Sequence, residues 1–136
     1  MNNLNSALLE GKLVQDASIS LTGSCMASFV MASKRYFKSA VDLVCEDEAG
    51  DSGMCVQTNF ILVEVQGNRA LIERVEAYGK AGRECRVVGR IESQPCGCSS
   101  KTPDQWRTPA EYMQSCFKVV LVAEHIEFRP LKGEEK

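Results

Sequence analysis

The stretch 56–91 constrains the fold most strongly, because it predicts a strand, a helix and a second strand in succession. Its first ten residues are mostly apolar and β-branched and lack a helical period, which predicts a strand. Asn68 can act as the N-cap of a helix whose apolar residues recur at helical spacing, and we expect Gly79 to form a left-handed C-cap. The last six residues return to the two-residue period of a strand.

Three further segments have the composition of strands, namely residues 7–14, 25–33 and 117–128. Gly11, inside the first of them, predicts a bulge or a sharp bend of the kind that small barrels need. Five strands with one helix between the third and the fourth is the order of an OB-fold. We therefore predict an all-β fold, a five-stranded Greek-key barrel with one short helix between strands 3 and 4.

The predicted domain organisation is simple. Residues 1–130 form one OB-fold domain, in which residues 92–116 are a long irregular insert between strands 4 and 5. Within this insert, Thr108 and Pro109 predict the start of one helical turn. Residues 131–136 are expected to be a short solvated tail.

The composition fits a soluble globular protein and does not by itself indicate a nucleic-acid-binding protein. The 136 residues carry a net charge of -2, with a sequence pI near 5.5. No apolar run reaches the ~20 residues of a membrane span, and the first residues do not resemble a signal peptide. We therefore expect a cytoplasmic protein.

The seven cysteines are an odd number and occur without a secretory signal, so we expect reduced thiols rather than a disulfide framework. Cys96 and Cys98 are the only closely spaced pair, and the single histidine, His125, is distant in sequence. Structural zinc sites usually have a wider spacing and a second pair. The pair is thus either a metal site or a pair of loop thiols, and we take the second interpretation and predict no metal and no cofactor.

Two further clusters of polar residues contain side chains of the kinds found in metal-binding and catalytic sites. Residues 46–51 hold four carboxylates, but their spacing does not match that of an EF-hand, so we expect a solvated loop tip that repels phosphate. Glu124 and His125 lie near the end of the last strand without a predicted nucleophile or metal partner. We predict no enzymatic activity.

Residues 34–38 place two aromatic side chains among three cationic ones. Cations that contact phosphates and aromatic rings on which bases stack are the two requirements for sequence-tolerant binding of a single nucleic-acid strand. For Phe37 and Phe60 the competing interpretation is a place in the hydrophobic core. The candidate strand-binding residues are Lys34, Arg35, Tyr36, Phe37, Lys38, Phe60, Arg86, Arg90 and Trp106.

Segments 5–16, 27–37, 58–67, 80–91 and 122–128, taken in this order, resemble those of the bacterial single-stranded-DNA-binding protein family. The resemblance implies an OB-fold, a homo-oligomer (a tetramer or a dimer), and binding of single-stranded DNA with little sequence preference. It also implies the absence of enzymatic activity and of a cofactor, a nucleoid-associated location, no membrane, and contacts with replication or repair proteins.

The family's stacking positions are only partly matched. Phe37 and Phe60 occupy two of them, whereas Gln66 replaces the aromatic residue that normally precedes the glycine before the helix. A fourth position falls near Cys96, where Trp106 could substitute. The family's acidic recruiting tail has no counterpart in the sequence, so we expect a divergent member without it.

Two functions follow. The first is coating of exposed single-stranded DNA during replication, recombination and repair. The alternative is a divergent OB-fold oligomeric interaction module that binds protein partners and binds DNA weakly or not at all. The features that favour the alternative are Gln66, the acidic residues 46–51, the missing tail and the low pI.

Overall fold

The computed structural model of the protein describes residues 3–21, 25–38, 54–95, 105, 107–113 and 117–130. Four features singled out in the sequence lie outside these residues: Trp106, the Cys96/Cys98 pair, the acidic residues 46–51 and the tail 131–136.

The described residues form six strands and two helices. In chain order these are β1 (Ala7–Leu13), β2 (Ser18–Ser20), β3 (Met26–Lys38), β4 (Met54–Gln66), α1 (Arg69–Tyr78), β5 (Glu84–Pro95), α2 (Pro109–Met113) and β6 (Phe117–Phe128). The five long strands and α1 are those predicted from the sequence, whereas β2 lies between two predicted strands, in a polar segment without a predicted element.

Five strands close into a barrel, which confirms the predicted OB-fold. The sheet order is β1-β5-β6-β4-β3, and an additional pairing of β1 with β3 closes the ring. All these pairings are antiparallel except that of β4 with β6. The short β2 pairs with the start of β3, and the side chain of Ile19 packs against the core. This apolar contact accounts for a strand inside an otherwise polar segment.

Gly11 lies where β1 passes from one neighbour to the other, and the register of β1 with β5 runs through it without a shift. Lys12 pairs with both Glu84 of β5 and Ala32 of β3. A Cβ atom on Gly11 would collide with the backbone carbonyl oxygen of Ala32. Only glycine allows the two backbones to approach this closely.

The helix α1 has the predicted N-cap but not the predicted C-cap. The backbone N–H of Leu71 donates to the Asn68 Oδ1 atom at 3.1 Å. Gly79 has a φ of -82°, so the expectation of a left-handed cap is wrong. Glycine is required at position 79 for a steric reason instead, because a Cβ atom there would lie 2.5 Å from the carbonyl oxygen of Val75.

The insert begins later than predicted. The strand β5 continues to Pro95, which pairs with Phe117 at the start of β6, because the partner strand extends equally far. The helix α2 starts at Pro109 as expected, and the backbone N–H of Glu111 donates to Thr108 Oγ1 at 3.4 Å. The Glu111 carboxylate in turn accepts from the backbone N–H of Thr108 at 3.1 Å, which completes a capping box.

The hydrophobic core fills the barrel, and α1 contributes to it from outside the sheet. α1 contacts β2, β3, β4 and β6. Each fully buried aliphatic side chain contributes roughly 1.5–3 kcal/mol to stability. The core includes Phe29 and Met31 of β3, Val63 and Val65 of β4, Leu71, Ile72 and Val75 of α1, Val87 of β5, and Leu121 and Ile126 of β6.

The three described cysteines differ in state. Cys25 and Cys85 are free thiols. Cys55, which is 1% exposed, is disulfide-bonded, so the expectation of reduced thiols is wrong at this position. The sequence could not show this, because which two cysteines come within bonding distance depends on the fold.

Burial of Cys85 predicts a measurable loss of stability at alkaline pH. Desolvation raises the pKa of this thiol from its ordinary value of 9.0 to about 11. The stability that depends on the protonated Cys85 thiol is therefore fully present below about pH 9, and it is lost as the pH rises to about 11. Over this range we expect the free energy of unfolding to fall by about 2–3 kcal/mol more in the wild type than in Cys85→Ala, as measured by urea denaturation. Parallel pH profiles of the two proteins would contradict this expectation.

Candidate nucleic-acid interface

The alternation of side chains along β3 divides the stretch 34–38 between two faces. Phe29 and Met31 point into the core, so the odd-numbered residues of this strand lie on the inner face. Arg35 and Phe37 continue this inner face beyond the barrel. The other members, Lys34, Tyr36 and Lys38, lie on the outer face and are exposed.

Phe60 joins the outer group from the neighbouring strand. It pairs directly with Ala32, and Thr58 pairs with Lys34, so all four side chains lie on the outer face. Phe60 is 66% exposed and Tyr36 is 54% exposed. Lys34 lies between the two rings along the strand direction. We call Lys34, Tyr36, Thr58 and Phe60 the β3–β4 face.

Phe37 has different surroundings from Phe60. It pairs with the buried Cys55 and is partly buried. The guanidinium carbon of Arg35 lies 4.5 Å from the centroid of the Phe37 ring, in a cation–π contact. Arg35 also donates to Gln57 Oε1 at 3.2 Å. One face of the Phe37 ring is therefore occupied by the protein itself.

Arg86 forms ion pairs with glutamates of the two strands that flank β5. Its Nε donates to Glu10 Oε2 at 2.7 Å, and its Nη1 lies 3.9 Å from Glu127 Oε1. The hydrogen bond to Glu10 is the main reason why the pKa of Arg86 is raised above its ordinary value. Part of its positive charge is thus neutralised within the protein.

Arg90 is also engaged by carboxylates. Its Nη2 lies 2.8 Å from Glu92 Oε2, and its Nη1 lies 3.4 Å from Glu124 Oε2. The hydrogen bond to Glu92 is the largest contribution that raises the pKa of Arg90. Both arginines remain substantially solvent-exposed, so such pairs can open at a small cost.

A polar cluster on the outer side of β4, β5 and β6 was not identified from the sequence. At its centre is Glu64, which is 5% exposed. Its Oε1 accepts from the amide groups of Gln66 and Gln94, each at 3.1 Å. Its Oε2 lies 3.9 Å from Lys118 Nζ. A glutamate inside the apolar run of β4 was the available signal, but its partners lie on strands that only the fold brings together.

A cleft opens where β1 and β3 separate, on the side of β3 that carries Lys34 and Tyr36. Its volume is about 370 Å³. Both cationic and anionic side chains line it, so it has no single sign of charge. The side chains that line it include Glu10, Lys12, Lys34, Tyr36, Glu84 and Arg129.

Neither a metal cluster nor a membrane helix occurs in the part of the chain that the structure describes. No group of three or more histidine, cysteine, aspartate or glutamate side chains there could hold a metal ion. No helix there is long and apolar enough to cross a membrane. Trp106, the last of the candidate residues, lies outside this part of the chain.

Comparison with proteins of known structure finds single-stranded-DNA-binding proteins with the same fold. The SSB of Plasmodium falciparum, in its complex with single-stranded DNA, superposes with a TM-score of 0.65 at 15% identity, over 96% of this chain and 98% of that chain. A deletion mutant of the single-stranded DNA binding protein from Thermus aquaticus gives a TM-score of 0.61 at 18% identity. That match covers 96% of this chain and 53% of the Thermus chain, so the chain spans about half of its length.

No protein-family model matches the sequence, and no curated protein matches it either. At identities of 15% and 18% the structural similarity establishes the OB-fold and nothing finer.

Proposed function

We propose that the protein binds single-stranded DNA with little dependence on sequence, through the β3–β4 face. The observation that supports this most directly is the exposure of two aromatic rings on one side of the barrel, with a lysine between them. Exposed aromatic rings beside cationic side chains on one face are the combination that sequence-tolerant single-strand binding requires. The two structural neighbours named above are themselves single-stranded-DNA-binding proteins.

The geometry of the β3–β4 face suits stacking. Tyr36 lies four residues along β3 from Ala32, the partner of Phe60, so the two rings are separated by about 13 Å along the strand. This separation is long enough for two different bases of one strand to stack, one on each ring. Stacking on a ring discriminates weakly between bases, because every base has a π-face.

The remaining candidate residues have supporting roles in this proposal. Lys34 and Lys38 supply positive charge beside the rings, and Arg35 extends it from the inner face. Arg86 and Arg90 contact phosphates when their ion pairs with glutamates open and a phosphate replaces the carboxylate. Phe37 and Trp106 are proposed as additional platforms. We further propose that the protein acts in the cytoplasm, on DNA exposed during replication, recombination and repair, without catalysing a reaction.

The protein is also proposed to be a homo-oligomer. In the described part of the chain, β1 pairs with β3 only at Lys12 and Leu13, so the edge of residues 7–11 that faces away from β5 has no strand partner there. Leu8 on this strand is 64% exposed. An open edge with an apolar residue suits pairing with a second copy. Sedimentation equilibrium should give the mass of a dimer or a tetramer, and a monomer at all concentrations would refute this part of the proposal.

Replacement of Phe60 by alanine tests the stacking role. We expect Phe60→Ala to weaken binding of a long oligothymidine by about 1–3 kcal/mol, because one platform is lost. Phe37→Ala should weaken it less, because Arg35 already covers one face of that ring. Fluorescence anisotropy of labelled oligothymidine measures both effects.

Tyr112→Ala is the matched control for this test, since Tyr112 is an exposed aromatic residue on α2. Thermal unfolding of each variant should match that of the wild type. Binding by Phe60→Ala equal to that of the wild type would remove the β3–β4 face from the proposal.

The salt dependence tests the role of Lys34. The logarithm of the affinity should fall linearly with the logarithm of the salt concentration, with a slope of about -0.7 per phosphate contacted. Lys34→Gln should make this slope shallower by about 0.7, and Lys80→Gln, outside the β3–β4 face, should not. Equal slopes for the wild type and Lys34→Gln would show that Lys34 does not contact phosphate.

The second candidate function is that of an OB-fold interaction module for protein partners. The ion pairs of Arg86 and Arg90 favour it, because they reduce the positive charge available to phosphates. If oligothymidine does not bind even at low salt, this second function replaces the first.

A further inference from the structure

The cluster around Glu64 adjoins the β3–β4 face. Phe60, Leu62, Glu64 and Gln66 alternate with inward-facing residues along β4, so they share its outer side. Glu64 is about 13 Å beyond Phe60 along the strand. A nucleic-acid strand that stacks on Phe60 and continues along β4 therefore reaches this cluster.

The hydrogen bonds of the cluster fix the orientation of two amide groups. A carboxylate can only accept hydrogen bonds, so the amide nitrogens of Gln66 and Gln94 must face Glu64. Gln94 also directs its nitrogen at Glu92 Oε1, at 3.4 Å. Both N–H groups of Gln94 are thereby donated to carboxylates, and its carbonyl oxygen is the only polar atom of the amide left for a ligand.

The chemistry of this surface is therefore dominated by acceptors. Gln66 is exposed and Gln94 is partly exposed, so their carbonyl oxygens can be reached by a ligand, whereas Glu64 lies beneath them. Two further carboxylates, Glu92 and Glu124, lie on the same side around Arg90. Acceptor oxygens and carboxylates repel phosphate, but they accept hydrogen bonds from the exocyclic amino groups of bases.

We infer that this cluster gives the protein a preference for bases that carry an exocyclic amino group, namely cytosine, adenine and guanine, over thymine and uracil. Gln66 and Gln94 accept from the base amino group, and Glu64 is a positioning residue that holds their amides in the accepting orientation. Lys118, 3.9 Å from Glu64, offers positive charge to a phosphate at the edge of the cluster. This inference rests on the proposed binding of single-stranded DNA and adds a base preference to it.

A comparison of oligodeoxycytidine with oligodeoxyuridine of equal length isolates this preference. The two bases differ only at C4 and N3, where cytosine has an amino group and an acceptor nitrogen, and uracil has a carbonyl oxygen and an N–H group. Both oligomers compete against labelled oligothymidine in an anisotropy assay, at a mildly alkaline pH at which cytosine is uncharged. We expect the wild type to bind oligodeoxycytidine about tenfold more tightly, the discrimination typical of one good base-edge contact.

Glu64→Gln tests the positioning role. A glutamine at this position can donate as well as accept, so it no longer fixes the two amides, and the cytosine preference should fall to less than about twofold. Glu76→Gln, on the exposed side of α1, removes the same charge and should retain the preference. Gln66→Leu, at an exposed position, removes one acceptor while Gln94 and Lys118 still contact Glu64, and it should reduce the preference even if Glu64→Gln folds poorly.

The outcomes separate this inference from the proposed function. Equal affinity of the wild type for oligodeoxycytidine and oligodeoxyuridine overturns the base preference and leaves the proposed function standing. Failure of both oligomers and of oligothymidine to bind at low salt overturns the proposed function as well. A preference that persists undiminished in both Glu64→Gln and Gln66→Leu shows that the cluster is not its source.

Discussion

The structure depends on one strand, β1, that pairs with two neighbouring strands. β1 pairs with β5 over most of its length and with β3 at its last two residues, and this second pairing closes the barrel. Closure joins the two ends of the sheet and encloses the inward-facing apolar side chains of all five strands in one core. It is possible because Gly11 lets the backbone of β1 pass against the carbonyl group of Ala32.

Closure also decides which side chains face solvent. Once Phe29 and Met31 are fixed in the core, every second residue of β3 is assigned to the outer surface, and this assignment continues past the barrel to Lys38. A stretch that combines cations and aromatic rings in the sequence is thereby separated into two groups. The pairing of β3 with β4 then places Phe60 on the same outer surface, although Phe60 is far from Tyr36 in sequence.

The neighbours of each charge across the sheet determine what that charge can do. Arg86 and Arg90 look like unpaired cations in the sequence, yet each contacts glutamates, among them Glu10 of β1 and Glu124 of β6. Glu64 is the reverse case, a carboxylate in an apolar strand that is stabilised by two amides and a nearby lysine. Burial of such a group costs several kcal/mol unless it is hydrogen-bonded, so the amides are a condition of its presence.

The sequence by itself determined the local elements of this protein: the five long strands, the helix α1 with its Asn68 cap and the OB-fold order. These follow from periodicity, capping and backbone sterics, which act over a few residues. Only the tertiary structure decided the side of β3 on which Phe37 lies, the glutamate partners of Arg86, the disulfide of Cys55 and the acceptor cluster around Glu64. Each of these depends on strand register and on barrel closure, which bring together residues that are distant along the chain, and no local pattern encodes those contacts.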